Sequence, residues 1–193
     1  IAELIRQQRP LEQWPAEYFH VDDNIRRRDA LLNLDMKPGA ALTAAVARGR
    51  GGWLAEMQAS NLRGRGGAGF ATAVKWSSAR NAPGDPKVIV CNADEGEPGT
   101  FKDRVLLNSF ADLVFEGMTL AAWAVGAAEG FLYLRGEYRY LLPHLEAVLA
   151  RRRAEGLLGP RILHEPGFDF DIRIHLGAGA YVCGEESALI ESL

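Results

Sequence analysis

The chain has 193 residues, 48% of them apolar and 24% charged, with a formal net charge of −3. That length and apolar content call for a packed core in one domain of ordinary size, with room for an extra segment. The slightly acidic balance argues against a nucleic-acid binder.

Residues 1 to about 50 carry short helical patterns broken by Pro10, Pro15, Pro38 and Gly39. "EQWPAEYFH" reads as a loop with aromatic anchors. Arg26-Arg27-Arg28, like Arg151-Arg152-Arg153 further on, reads as a solvated helix face. "KPGAALTAAVARG" predicts a helix that starts near Pro38 and stops at Gly49. "GGWLAEMQASN", 51–61, predicts a second short helix with Trp53, Leu54 and Met57 on one face. We divide the chain here, into a helical and loop lead-in at 1–50 and a main domain at 51–193. A glycine loop follows, and "AGFATAVKWSSAR", 68–80, is helical again.

"NAPGDP" marks a turn. "KVIVCN" is a continuous β-branched run, as a buried parallel strand should be. "ADEGEPGTFKD" is a polar loop, and from Val105 to about Ala128 the pattern is helical and alanine-rich. "GFLYLRG", 130–136, is a second strand. "EYRYLLPHLEAVLARRRAEG" is a helix in which Pro143 sits near the first turn or makes a kink. "FDFDIRIHLGAGAY" is a third strand running into a glycine turn, and a last helix begins near Gly184. From residue 87 onward strands and helices alternate, which defines an α/β fold: a Rossmann-like parallel sheet with right-handed crossovers, flanked by helices.

Cys91 and Cys183 lie 92 positions apart, each after a valine, and no CxxC pair accompanies them. They read as small buried thiols in a reducing compartment rather than metal ligands or a disulfide. No apolar run approaches the roughly 20 residues that span a bilayer, and "IAELIRQQRP" lacks a signal-peptide core. A cytoplasmic protein without membrane insertion is expected. The sequence opens without Met and stops inside an amphipathic pattern, so we read it as part of a longer protein.

Three clusters carry the chemistry. "NLRGRGGAGF", 61–70, contains Gly64-x-Gly66-x-x-Gly69, the spacing of a dinucleotide-binding fingerprint. That fingerprint needs a strand before it, and here a helix precedes it, so a standard NAD-binding Rossmann unit is a poor reading. Four glycines in six residues still exceed what a turn needs, and bare backbone N–H groups beside Arg65 and Lys75 suit an anionic group. "CNADEGEPGTFKDR", 91–104, follows the first strand at its carboxyl end, where parallel sheets bind ligands. Its Asn92, Asp94, Glu95, Glu97 and Asp103 offer acceptors for hydroxyl and amide donors, or form a solvated acidic loop. "HLGAGAYVCGEESALIES", 175–192, ends the third strand in a glycine turn, followed by Tyr181 and then Gly184-Glu185-Glu186. Glutamates there serve either as helix caps or as ligand acceptors.

"GRGGAGF" with "KW", "NADEGEPGTFKDR" and "GAGAYVCGEESALIES", in that order, resemble the flavin-carrying, NADH-oxidising subunit shared by respiratory complex I, NAD-reducing hydrogenases and NAD-dependent formate dehydrogenases. The likeness covers roughly Leu62 to Leu193. "GEYRYL", "GLLG", "GFDFDIRI" and "ESALIES" look most like the diaphorase α subunit of soluble NAD-reducing hydrogenase. The resemblance implies FMN at the glycine loop with NAD(H) stacked over it, hydride transfer between the two, and single electrons passed to iron–sulfur clusters of partner subunits. It implies that Gly64, Arg65, Gly66 and Gly67 line the flavin, and that Lys75, Asn92, Asp94, Glu95, Tyr181, Gly184 and Glu185 hold its ring, ribityl chain or phosphate. It implies that Phe70 stacks on the adenine and that Glu97 and Glu186, with Glu95, approach the nicotinamide end and its ribose. A [4Fe–4S] cluster is expected on a later part of such a protein. Ala71 and Ala73 stand where the family usually has Pro and Gly, and Ser78 where some members have an aromatic. A nucleotide-binding adaptor without flavin is the reading of a different class.

Overall fold

A computed structural model describes residues 1–22, 25, 32 and 36–193; the Arg26-Arg27-Arg28 cluster lies outside them. A short helix α1 (Ala2–Arg6) opens the lead-in, and two 3₁₀ turns follow it. Residues 40–59 form α2 (Ala40–Ala59). Gly49 leaves helical geometry inside it, at φ 70° and ψ 162°, so two helices meet where the sequence pattern broke. α3 spans Thr72–Asn81. It starts four residues later than the sequence suggests, because Ala68–Ala71 belong to the glycine loop.

The sheet has three strands, β1 (Val88–Ala93), β2 (Glu129–Leu134) and β3 (Asp171–Leu176), in the order β1-β2-β3 and parallel throughout. The register is Val88↔Glu129↔Asp171 at one end and Ala93↔Leu134↔Leu176 at the other. The continuous helix expected from Val105 to Ala128 is instead two, α4 (Lys102–Ser109) and α5 (Ala111–Val125), bent by 94°. The cause is Phe110. It adopts φ −137°, ψ 28°, ends one helix, begins the next and buries its ring. Beyond β2, a 3₁₀ turn over Gly136–Leu141 feeds α6 (Leu142–Ala154), with Pro143 in the first turn, where its missing N–H costs nothing. The third strand is shorter than its alternating pattern. It is preceded by a 3₁₀ turn at Ile162–His164 and followed by another at Tyr181–Gly184, and α7 (Glu186–Ser192) closes the described chain.

A sequential parallel order places both right-handed crossovers on one side of the sheet. Leu132, Leu134 and Ile172 pack there against Phe115, Met118 and Ala122 of α5 and Leu145 and Leu149 of α6. The opposite face is covered at its carboxyl end, where Tyr133 packs with Cys183 and Leu189. Cys183 is buried and Cys91 half-buried, both as free thiols, and burial pushes the Cys91 thiol up to about 11.

One arginine of the 151–153 run departs from the solvated-face reading. Arg151 and Arg153 are exposed, but Arg152 is fully buried between Asp112 and Glu116, its Nη1 3.0 Å from Asp112 Oδ1 and 3.5 Å from Glu116 Oε2. Glu116 also accepts from the N–H of Gly39 at 2.6 Å and of Leu42 at 3.1 Å. A carboxylate on α5 thus caps the N-terminus of α2 in place of Gly39, which has no side chain to do so. Glu116→Ala is expected to cost about 3–5 kcal/mol, since it uncaps α2 and leaves the buried Arg152 half-compensated. Urea unfolding followed by circular dichroism measures it, and a loss below about 1 kcal/mol would show the network to be dispensable.

Candidate functional site

Parallel pairing brings the ends of all three strands to one edge. Arg135 N–H, just past β2, donates to Ala93 O at 3.2 Å, and Gly177 N–H, just past β3, donates to Leu134 O at 2.8 Å. Over this edge lies a cleft of about 770 Å³, within the usual range of ligand pockets (about 300–1,000 Å³). From the glycine loop come Arg65 and Gly66. The end of β1 gives Asn92, the loop after it Asp94, Glu95 and Glu97, the start of α4 Lys102, and the turn after β3 gives Tyr181, Val182, Gly184 and Glu185. Gly64, Gly67, Phe70, Lys75 and Glu186 do not line it. Lys75 and Glu186 face each other nearby, with Nζ 3.2 Å from Oε2 and both side chains exposed. Phe70 is also exposed.

The glycine loop is tied at its base. Gly64 N–H donates to Phe70 O at 2.8 Å, Thr72 N–H to Leu62 O at 3.0 Å, and Arg63 bridges Ala71. Within it Gly67 (φ 104°) and Gly69 (φ 61°) adopt backbone angles closed to most side chains. Gly66 does not, and a Cβ built on it meets nothing within 4 Å. Neither conformation nor packing in this chain demands a glycine at 66.

Asn92 links two of the loops. Its Nδ2 donates to Gly184 O at 2.9 Å, and its Oδ1 accepts from Asp94 N–H at 3.0 Å. Glu185 accepts from the N–H of Ser187 at 3.0 Å and of Ala188 at 3.1 Å, which caps α7 and holds its carboxyl below the ordinary range. Of the two roles open to the glutamates of the third cluster, Glu185 therefore takes the cap. The Tyr181 hydroxyl donates to Glu97 Oε1 at 2.7 Å across the cleft, which raises the phenol. Gly96 gives that ring room, since a Cβ there would sit 3.1 Å from its edge.

Asp94 differs from its neighbours. Its Oδ2 is buried and has no protein partner. Of the groups behind the cleft, the sequence points to Arg135 and Glu137, which follow the second strand at the same edge as the other two loops, but not to Tyr138. Arg135 donates to the Glu95 carbonyl oxygen and pairs with Glu137 at 2.6 Å, and Tyr138 reaches the Glu95 carboxylate. An orphaned carboxylate oxygen, a guanidinium and bare glycine backbone in one cleft suit a ligand with hydroxyl donors and an anionic end, such as a flavin mononucleotide.

Fold and site together define a nucleotide-type binding domain of the parallel α/β class. Residues 57–193 match the family described as the Nuo51 FMN-binding domain, and the chain belongs to it. The chain is similar to the NAD-reducing hydrogenase HoxS subunit alpha of Cupriavidus necator, at 61% identity over 133 residues, covering 69% of this chain and 22% of that protein. It is similar to a NADH-quinone oxidoreductase subunit of Rhizobium meliloti, at 52% identity over 134 residues, covering 69% of this chain and 32% of that protein. A crystal structure of NAD⁺-reducing [NiFe]-hydrogenase in the H₂-reduced state superposes with a TM-score of 0.84 at 48% identity, over 98% of this chain and 32% of that one. The chain thus spans about a fifth to a third of the length of these relatives.

Burial raises the Asp94 carboxyl above its ordinary 3.8, with Arg135 opposing the shift. A raised value in the folded state means that the fold favours the neutral acid. The stability this contributes is present below pH 3.8 and is lost as the pH rises through the raised value. Asp94→Asn is therefore expected to raise the melting temperature of ligand-free protein at neutral pH, modestly because the group is partly solvated. The gain should shrink as the pH falls toward 3.8. Melts across that range check it, and a lower melting temperature for the variant at neutral pH contradicts it.

Proposed function

We propose that this chain is the FMN- and NAD(H)-binding module of a larger diaphorase, working in a multisubunit redox complex of the NAD-reducing hydrogenase type. The single observation that carries the flavin reading is Gly66: a glycine without a structural demand, on the wall of a cleft that also holds Arg65 and the unpartnered Asp94 oxygen. Family membership supports the same cofactor. The hydrogenase parent is favoured over complex I by the 61% identity to the hydrogenase subunit against 52% to the quinone-reductase subunit. Iron–sulfur partner subunits, a [4Fe–4S] cluster on the rest of the protein and a cytoplasmic setting belong to this proposal. Among the described residues no single helix is long and apolar enough to cross a membrane. The sequence-drawn division into a lead-in at 1–50 and a flavin and dinucleotide domain at 51–193 is part of the same reading.

When bound, FMN supplies the chemistry that takes a hydride from a nicotinamide and releases electrons one at a time. The chain's own part is binding and orientation. The backbone of Gly64, Gly66 and Gly67 with Arg65 receives the anionic end, and Lys75 adds positive charge. Asn92, Asp94, Tyr181, Gly184 and Glu185 form the far wall, where acceptors meet hydroxyl and amide donors. Glu95 also lines the cleft, with its carboxylate held by the α4 amides and the Tyr138 hydroxyl. Phe70, exposed beside the loop, offers a face for the adenine, and Glu97 and Glu186 offer acceptors to the ribose of the dinucleotide.

The purified full-length protein is expected to show flavin absorbance bands, and Gly66→Val to abolish them while the melting temperature of the flavin-free protein stays near wild type, because a Cβ there meets no atom of the chain and the position is exposed. Full flavin occupancy in Gly66→Val would remove the glycine loop from the site.

Glu186 sets the preference for NADH over NADPH in this reading, since a 2′-phosphate near it is repelled and a ribose hydroxyl is not. Its exposure and its pairing with Lys75 keep the effect small. Glu186→Gln should shift the ratio of kcat/KM toward NADPH by roughly two- to fivefold. Steady-state assays with an artificial acceptor measure this, and an unchanged ratio would confine Glu186 to its pair with Lys75.

A further inference from the structure

Helix α4 begins without a cap of its own. Phe101 stands at the cap position and has no polar side chain, so the N–H groups of the first turn need a partner from elsewhere. Glu95 supplies it from within the acidic loop. Its Oε1 accepts from Asp103 N–H at 3.1 Å and its Oε2 from Arg104 N–H at 3.4 Å. A third donor reaches the same carboxylate from beyond β2: the Tyr138 hydroxyl lies 2.9 Å from Oε2, in a buried contact. Glu95 is 6% exposed and Tyr138 7%.

The Tyr138 ring is itself braced. The Arg135 guanidinium lies 5.8 Å over its face, while the same arginine donates to the Glu95 carbonyl oxygen. Tyr140 meets Tyr138 edge-on at 6.3 Å, and Tyr140 is in turn stacked at 5.3 Å on Phe19 of the lead-in. Burial, together with the Glu95 contact, pushes the Tyr138 phenol up to about 12, so it remains a donor at neutral pH. Both ends of the loop that carries Asp94, Glu95 and Glu97 are thereby fastened, one by Asn92 and the other through Glu95.

We infer that Tyr138 is a positioning residue for the dinucleotide site, acting through Glu95: its hydroxyl holds the carboxylate on the α4 amides and keeps that charge away from the space beside Asp94 and Glu97. The inference rests on the function proposed above. With the hydroxyl removed, Glu95 keeps two backbone donors, one of them long, and gains rotamers that point into the cleft. A further carboxylate released beside Asp94 and Glu97 repels the phosphates of an incoming dinucleotide. The cost falls on binding and not on the chemical step, so KM changes and kcat does not.

The test uses full-length, flavin-loaded protein. Tyr138→Phe should raise the KM for NADH by about fivefold with kcat within about twofold of wild type. Hydrogen exchange at the Asp103 and Arg104 amides should quicken. In a Glu95→Gln background the same Tyr138→Phe change should move KM by less than about twofold, because no charge remains to be released. An unchanged KM in Tyr138→Phe overturns the inference, and so does an equal rise in the Glu95→Gln background, which would mean that Tyr138 supports the fold and not the carboxylate. A wild-type protein that takes up no flavin refutes the proposed function instead. The exchange rates of Asp103 and Arg104 then still decide whether Tyr138 holds Glu95.

Discussion

The sequential parallel pairing of three short strands is the constraint on which the rest depends. Each strand must return to the same end of the sheet before the next begins, so every loop leaving a strand emerges at one edge. Three loops of different sequence are then forced together, and the backbone bonds from Arg135 to Ala93 and from Gly177 to Leu134 zip their first residues. The ladder needs no polar side chain to do this. It needs apolar residues buried against α5 and α6, which Ile89, Cys91 and Ala93 of β1 and Leu132 and Leu134 of β2 supply. The glycine loop is brought to the same edge from outside the sheet, carried between α2 and α3.

Crowding carboxylates at one edge raises an electrostatic difficulty, and the chain meets most of it with specific partners. Glu95 takes two amides and a phenol, Glu185 caps α7, Glu97 accepts from Tyr181, and Glu186 faces Lys75. Each of these acids keeps its charge near a donor, so the repulsion between them is offset where it arises. Asp94 is the exception among the acids of the cleft: one oxygen is buried and unpartnered, and its carboxyl is raised. Natural folds keep such a defect where something else uses it. Of the acids in the cleft, Asp94 is the one whose buried oxygen the protein leaves without a donor.

Much of this was legible in the sequence. The β-α-β-α-β-α order, the strand after "NAPGDP", the break at Gly49 and the convergence of three loops all follow from periodicity and from glycine and proline placement, because those signals are local. The bend at Phe110 was not, since nothing but tertiary burial of its ring makes a phenylalanine interrupt an alanine-rich helical pattern. Arg152 misleads for a related reason: three consecutive arginines look alike in sequence, yet only one faces α5, and its partners are about 40 residues away. The roles of Glu95 and Glu185 needed the structure as well. A glutamate before a helix reads equally as cap or as ligand acceptor until its hydrogen bonds are seen. Tyr138 gave no signal, because a tyrosine after a strand is ordinary core material.

The glycines separate packing from binding more sharply than composition does. A Cβ on Gly130 would lie 2.5 Å from the buried Phe170 ring, one on Gly136 2.6 Å from the Gly177 carbonyl oxygen, and one on Gly177 2.8 Å from Tyr133. Those three are glycine because the chain itself leaves no room. In the loop after α2, Gly67 and Gly69 are accounted for by their backbone angles, and Gly64 would make only ordinary contact with Phe70. Gly66 is left over. An exposed loop position with room for a Cβ that nonetheless holds the residue with the largest entropic cost of ordering is destabilising for the free protein. Its place on the wall of the cleft beside Arg65 fits the flavin site proposed above, where a ligand against the backbone would exclude a Cβ that the protein alone admits. Glycine there leaves the loop freer before any binding than alanine would.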